Sequence, residues 1–135
     1  MTDSLRLKVV TPRGSLLDEQ VISLSARSPV GEFCLLPEHR SIMSALSPGT
    51  MTVEQPDGGK TLYAVDRGFL EAGGDHVNVI TERCIAAEDV DVEKLVKEIK
   101  GLEEKIAPLD IGSPETQPLL EALEWAKAQV EASPK

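Results

Sequence analysis

Through its first two-thirds this chain is interrupted every few residues by Pro, Gly, Asp or Asn, and after Glu88 the punctuation gives way to a helical spacing. Turn residues so close together leave intervals too short for helices and suited to short strands. Leu5, Leu7 and Val9 alternate up to the turn Pro12-Arg13-Gly14, Leu16 and Leu17 continue, and Ile22, Leu24 and Ala26 then alternate with Val21, Ser23 and Ser25. Met51 and Val53 lead to Pro56-Asp57-Gly58-Gly59, whose Asp-Gly step is a hairpin signal. Thr61 to Val65 answers it, with Tyr63 and Val65 on one face and Leu62 and Ala64 on the other. Phe69 to Ala72 precedes the tight turn Gly73-Gly74-Asp75, and Val77 to Thr81 forms the last clear strand. Roughly eight to ten short strands without βαβ alternation predict an all-β sandwich or barrel.

From Val92 the apolar residues fall at Leu95, Ile99, Leu102 and Ile106, spacings of 4, 3 and 4 that form a helical seam. Asp89 or Asp91 can cap its start. Pro108, Gly112 and Pro114 break the helix, and Pro118 suits the first turn of a second one. There Leu119, Leu123, Ala126 and Val130 repeat the spacing. Two matching seams joined by a short break predict an antiparallel α-helical hairpin. The chain thus divides into a β-domain over residues 1–87 and a hairpin over 88–135. Trp125 lies off the second seam, on a strip with Pro118, Ala122 and Gln129, and is expected to rest against the β-domain.

A formal net charge of −9 argues against nucleic acid, whose phosphates would be repelled. Four aromatic residues, Phe33, Tyr63, Phe69 and Trp125, are too few for a sugar-binding platform. No apolar run approaches the ~20 residues of a membrane span. The start Met-Thr-Asp-Ser lacks the basic and apolar stretches of a signal peptide, so a cytosolic chain is expected. Cys34 and Cys84 read as free thiols packed as small apolar residues. A Cys34–His39 nucleophile pair lacks an orienting third group, and a zinc site from Cys34, His39, His76 and Cys84 lacks the usual close ligand pairing. No catalytic, cofactor or metal site is therefore expected.

The stretch from Pro29 to Gly49 reads as a turn, a strand with Phe33 and Leu35 on one face, and a polar corner at Glu38-His39-Arg40-Ser41. Ile42, Met43, Ala45 and Leu46 are expected to return to the core, and Ser47-Pro48-Gly49 is a second turn. Gly31-Glu32-Phe33-x-Leu35-Leu36-Pro37-x-His39 followed by Ser44-Ala45-Leu46-x-Pro48-Gly49 resembles the signature of the epsilon subunit of F-type ATP synthases. That family reads Gly-Glu-Phe/Leu-Gly-x-x-Pro-Gly-His and then Thr-Ala-Leu-x-Pro-Gly. Leu7-x-Val9-Val10-Thr11-Pro12 and Gly68-Phe69-Leu70-Glu71 extend the resemblance along the chain. Cys34, Glu38 and the pair Asp66-Arg67 depart from it, standing where the family keeps Gly, Gly and a small Ser-Gly pair.

The resemblance implies a β-sandwich and no catalysis. Such a subunit is part of a rotor that couples proton- or sodium-driven rotation to ATP synthesis elsewhere in the complex. It implies a gamma subunit and the membrane c-subunit ring as partners of the sandwich, with Glu32, Glu38 and His39 at the ring contact. It implies a peripheral place on the cytoplasmic face of a bacterial-type inner membrane. It also makes the hairpin a possible regulatory arm that reaches the catalytic alpha and beta subunits. Some members bind ATP there through an Ile/Leu-Asp-x-x-Arg-Ala pattern. Here Asp91 survives, but Lys94 and Leu95 stand in place of Arg and Ala, so weak or absent ATP binding is expected. Acidic Glu115, Glu121, Glu124 and Glu131 outnumber Lys127 and Lys135 at the C-terminal end, so weak inhibition is expected as well. The competing reading is a free-standing β-sandwich binding module with a helical tail.

Overall fold

A computed structural model describes residues 4–37 and 39–133 of the chain. Ten strands come first: β1 (Leu5–Thr11), β2 (Gly14–Val21), β3 (Ser23–Ser28), β4 (Gly31–Leu35), β5 (His39–Leu46), β6 (Gly49–Glu54), β7 (Lys60–Val65), β8 (Gly68–Gly74), β9 (His76–Thr81) and β10 (Cys84–Ala86). A 3-10 turn (Ala87–Asp89) leads into helices α1 (Val92–Ile106) and α2 (Thr116–Ala132). The strands form two five-stranded sheets, ordered β2-β1-β9-β8-β5 and β10-β7-β6-β3-β4. The fold is a β-sandwich followed by a helical hairpin.

Alternation along the strands builds the core. Leu5, Leu7 and Val9 of β1 are buried while Arg6 and Lys8 face out. β1 lies parallel to β9 with Leu7 opposite Val77 and Val9 opposite Val79. From the second sheet, Leu24, Leu35, Met51, Val53 and Val65 meet them, and Phe33 and Tyr63 pack at the margin. The β6–β7 hairpin turns where its Asp-Gly step predicts. Gly58 has φ 91°, and the Gln55 N–H donates to the Gly59 carbonyl at 2.7 Å. Gly68 is required for a different reason: a Cβ there would overlap the Ile80 carbonyl oxygen and lie 2.8 Å from Thr81 Cα.

The segment after the polar corner does not return to the core. β5 is the edge strand of the first sheet and pairs with β8 alone. Ile42, Met43 and Ala45 are exposed, and only Leu46 is buried. An apolar strand at a sheet edge satisfies the same sequence pattern without being covered by its own chain.

In the hairpin, Asp91 is the residue that caps α1, its Oδ1 accepting from the Lys94 N–H at 3.2 Å. The buried Thr116 hydroxyl donates to the Asp110 carbonyl at 2.7 Å and pins the loop to the start of α2. α1 packs on α2, and α2 in turn packs on β6 and β7. Leu95 and Ala126 are buried, whereas Ile99, Leu102, Ile106, Leu119, Leu123 and Val130 are half-buried. On another side of α2, Trp125, Ala128 and Ala132 close against Ala64, Ala87 and Ile85 of the β-domain. β7 is therefore apolar on both faces because it is covered on both: Val65 faces the sandwich core and Ala64 faces α2.

Candidate interaction surfaces

The two sheets differ in what covers their outer faces. The second is roofed by α2, while the first carries a bare apolar row. Register places Ala45 opposite Phe69, Phe69 opposite Ile80, and Ile80 opposite Val10. The row thus crosses β5, β8, β9 and β1 in sequence. Phe69 is 44% exposed, Ile80 56% and Met43, next to the row, 66%. Each strand alternates, so these side chains point away from the buried Leu70, Val79 and Val9 behind them. Single exposed apolar residues are ordinary, whereas a contiguous row across four strands makes this face a candidate interaction surface.

A second surface lies at the β3–β4 turn. Ser28 donates its hydroxyl to the Gly31 carbonyl at 2.9 Å, and Gly31 takes φ 134°. Beyond the turn, Val30 is 97% exposed and the Glu32 side chain 79%. Arg27 Nη2 lies 3.9 Å from the Glu32 carboxylate and 2.9 Å from Glu131 of α2, so its charge goes mainly to the latter. Of the three residues expected at one contact, Glu32 and His39 are not brought together. The Ser47 N–H donates to the Arg27 carbonyl, which puts the end of β5 beside Glu32. His39 opens β5 opposite Gly74, at the other end of the strand. At ~3.3 Å per residue the two positions lie roughly 20 Å apart. Glu38 and the side chain of His39 lie outside the described residues.

A third cluster joins the β-domain to the hairpin, and sequence reading missed it. Asp66 and Arg67, which read as mere departures from a small pair, sit between β7 and β8 and do two jobs. The buried Asp66 carboxylate accepts from the Arg67 N–H at 2.8 Å and, through Oδ2, from Arg83 Nε and Nη2 at 3.2 and 3.0 Å. Thr81, buried between the connectors, donates its hydroxyl to the Asp66 carbonyl at 2.8 Å. Arg83, held in this way, lies over the Trp125 ring with its guanidinium 5.1 Å from the centroid. Arg67 turns outward to Glu121 at 2.6 Å and Glu124 at 3.7 Å. The one available signal was charge: three glutamates on α2 facing a domain that carries arginines among its cations.

The remaining candidates lie apart from one another where they are described. Asp91 is engaged as a helix cap, Lys94 is exposed and Leu95 is buried. Cys34 is exposed on β4, and burial pushes the Cys84 thiol up to about 12. Cys34 belongs to the second sheet and His76 to the first, at its exposed β8–β9 end. Among the described residues no group of three or more His, Cys, Asp or Glu side chains gathers to hold a metal ion, and no helix is long and apolar enough to cross a membrane.

Comparison with known proteins follows the same outline. Residues 4–87 match the family described as ATP synthase, Delta/Epsilon chain, beta-sandwich domain. The ATP synthase epsilon chain of Nitratidesulfovibrio vulgaris is 36% identical over 110 residues, 81% of this chain and 81% of that one. That of Geotalea daltonii is 28% identical over 135 residues, covering 100% of this chain and 97% of its own. A chain in the OSCP/F1/c-ring structure of the Euglena gracilis mitochondrial ATP synthase superposes with a TM-score of 0.84 at 25% identity, over 95% of this chain and 80% of that one. A chain of the Tetrahymena thermophila mitochondrial central stalk and c ring shares the fold, with a TM-score of 0.59 at 11% identity, over 95% of this chain and 92% of that one. The two-sheet sandwich agrees with the matched beta-sandwich domain, and the chain belongs to the epsilon-chain family of F-type ATP synthases, as a non-catalytic subunit of the rotor.

Proposed function

We propose that the row Ala45–Phe69–Ile80–Val10 seats the gamma subunit and that the β3–β4 turn, led by Glu32, meets the polar loops of the membrane c-subunit ring. The sandwich then passes proton- or sodium-driven rotation between them, and ATP is made on other subunits. The observation that carries this reading is the row itself: an apolar strip running across four hydrogen-bonded strands, left bare on a sandwich whose opposite face is already roofed. A body gripped across its strands resists shear through several ladders at once, as torque transmission requires. Glu32 suits a basic loop because it is well exposed and only loosely held by Arg27. His39 opens the far end of β5, so in this reading it leaves the ring contact to Glu32.

Residues 1–87 serve both partners and residues 88–135 act as an arm. The arm engages the catalytic alpha and beta subunits weakly, since Glu121, Glu124 and Glu131 repel acidic segments and are taken up by arginines of the sandwich. The subunit sits peripherally on the cytoplasmic face of a bacterial-type inner membrane, following its bacterial relatives.

Size-exclusion chromatography of the chain with its matching gamma subunit tests the reading. Co-elution is expected, and Ile80→Asp should abolish it while the isolated variant keeps its fold, because an exposed position tolerates polarity. A well-folded wild-type chain that fails to co-elute would return it to a free-standing binding module. Co-elution unaffected by Ile80→Asp would move the gamma seat elsewhere.

A further inference from the structure

The underside of the docked hairpin is poor in large apolar side chains. Trp125 is accompanied there by Ala64, Ala87, Ala128 and Ala132, with Ile85 at the margin. Alanines bury little surface each, and a flat alanine contact does little to fix the rotation or shift of a helix on a sheet. Charged pairs ring this contact. Arg27 Nη2 meets Glu131 Oε1 at 2.9 Å near the C-terminal end of α2. Arg67 meets Glu121 at 2.6 Å and Glu124 at 3.7 Å two to three turns earlier. Between them Arg83, fixed by Asp66, covers the Trp125 ring. All three cations belong to the sandwich and all three glutamates to α2. Among the described residues no pair runs the other way.

We propose that Arg27, Arg67 and Arg83 form a charge clasp that sets the docked position of the hairpin and makes its docking weaken as ionic strength rises. The clasp works within one chain and goes beyond the rotor reading, which can hold or fail without it. Its arginines and glutamates are partly exposed, with side-chain exposures of 33–59% for the Arg67 and Glu121/Glu124 group and 38% and 49% for Arg27 and Glu131. A pair of that kind shifts an equilibrium by about two- to fivefold and is screened by salt. The pairs act on one stiff helix, so their loss is felt together at the same opening.

Amide hydrogen exchange of the full chain, followed by mass spectrometry on the peptide covering residues 125–132, reads the fraction undocked. Raising NaCl from low salt to about 1 M should speed exchange there several-fold while leaving β1 and β9 unchanged. Arg67→Glu should speed it by about tenfold, since an attraction becomes a repulsion at two glutamates. Arg27→Glu and Glu131→Arg should each speed exchange, and the two together should restore the wild-type rate. Exchange insensitive to salt and to Arg67→Glu would overturn the clasp and leave Trp125 and the alanines holding the hairpin alone. Acceleration that the Arg27→Glu, Glu131→Arg swap fails to reverse would overturn it too, by showing damage in place of lost attraction.

Discussion

Replacing Trp125 by Ala measures what holds the two parts of the chain together. Trp125 is 8% exposed and is the one large side chain in a contact otherwise made of alanines and Ile85. A buried tryptophan removes ~150–250 Å² from water, worth ~4–6 kcal/mol at ~25 cal/mol per Å². An alanine recovers part of that, and losing the stacked Arg83 guanidinium takes away about 0.5–1 kcal/mol more. The net cost to docking is therefore about 4 kcal/mol. The sandwich should scarcely feel it, because its core of Leu5, Leu7, Leu24, Met51 and Leu70 forms a separate cluster. The freed hairpin should melt early, since two short helices that lean only on each other are marginal. Removing the sole tryptophan leaves Tyr63, at the margin of the sandwich core, as the dominant fluorophore. Thermal unfolding would be followed by circular dichroism at 222 nm for the helices and by tyrosine fluorescence for the sandwich. The helical transition is expected to fall well below the tyrosine transition in the variant, whereas in the wild type the helical signal is lost in a single step. If both signals moved down together by the full amount, the sandwich would depend on its roof. A shift below about 0.5 kcal/mol in the helical transition would refute the burial argument itself.

Gly68→Ala should cost about 3 kcal/mol, a fall in Tm of roughly 10 °C, because backbone atoms of Ile80 and Thr81 stand in the way and cannot swing aside; an unchanged Tm would show that β8 and β9 can separate there. A maleimide at pH 8 should label Cys34 and leave Cys84 unmodified in the folded chain, since a thiol pushed up to about 12 holds almost no thiolate; rapid labelling of both would contradict the burial of Cys84. Isothermal titration with ATP should show no micromolar binding, because Asp91 is committed to capping α1 and Leu95 is buried in the hairpin; a micromolar Kd would overturn that view of the degenerate motif. Deleting residues 88–135 should raise ATP hydrolysis by the assembled enzyme only slightly, and a several-fold rise would make the arm a strong inhibitor.

What could be read from the sequence was local. The Asp57-Gly58 turn, the alternation of β1 and the repeated seam of α1 and α2 each rest on residues within a few positions of one another, where side-chain period is a direct consequence of backbone geometry. Even the position of Trp125 followed from helical angle. Pairs distant in sequence leave no such trace: Arg27 and Glu131 are 104 positions apart, and Arg83 reaches Asp66 across 17. Asp66 and Arg67 were visible as departures from a pattern, but their work depends on which helix lands above them. Ile42, Met43 and Ala45 failed for another reason. An apolar run says that a surface is to be covered, and it does not say whether the cover is the chain's own core or another protein. Glu32 and His39, close in sequence and on flanking elements, were separated by the length of a strand.

The parallel pairing of β1 with β9 orders the birth of the molecule. Every other strand pair in the sandwich is antiparallel, yet β1, almost the first segment made, completes its sheet only against residues 76–80. During synthesis at ~5–20 residues per second, the β1–β2 hairpin must wait several seconds with Leu7 and Val9 uncovered before their partners emerge. The second sheet waits longer still, for Ala64 and Ile85 stay bare until α2 has left the ribosome. Closure is thus a late event gated by the C-terminal half of the chain. Folding should be slow for a protein of this size because its decisive contact spans so much sequence. Fragments ending before β9 should be captured by chaperones, and the first fragment to shed them should be one that includes Thr81.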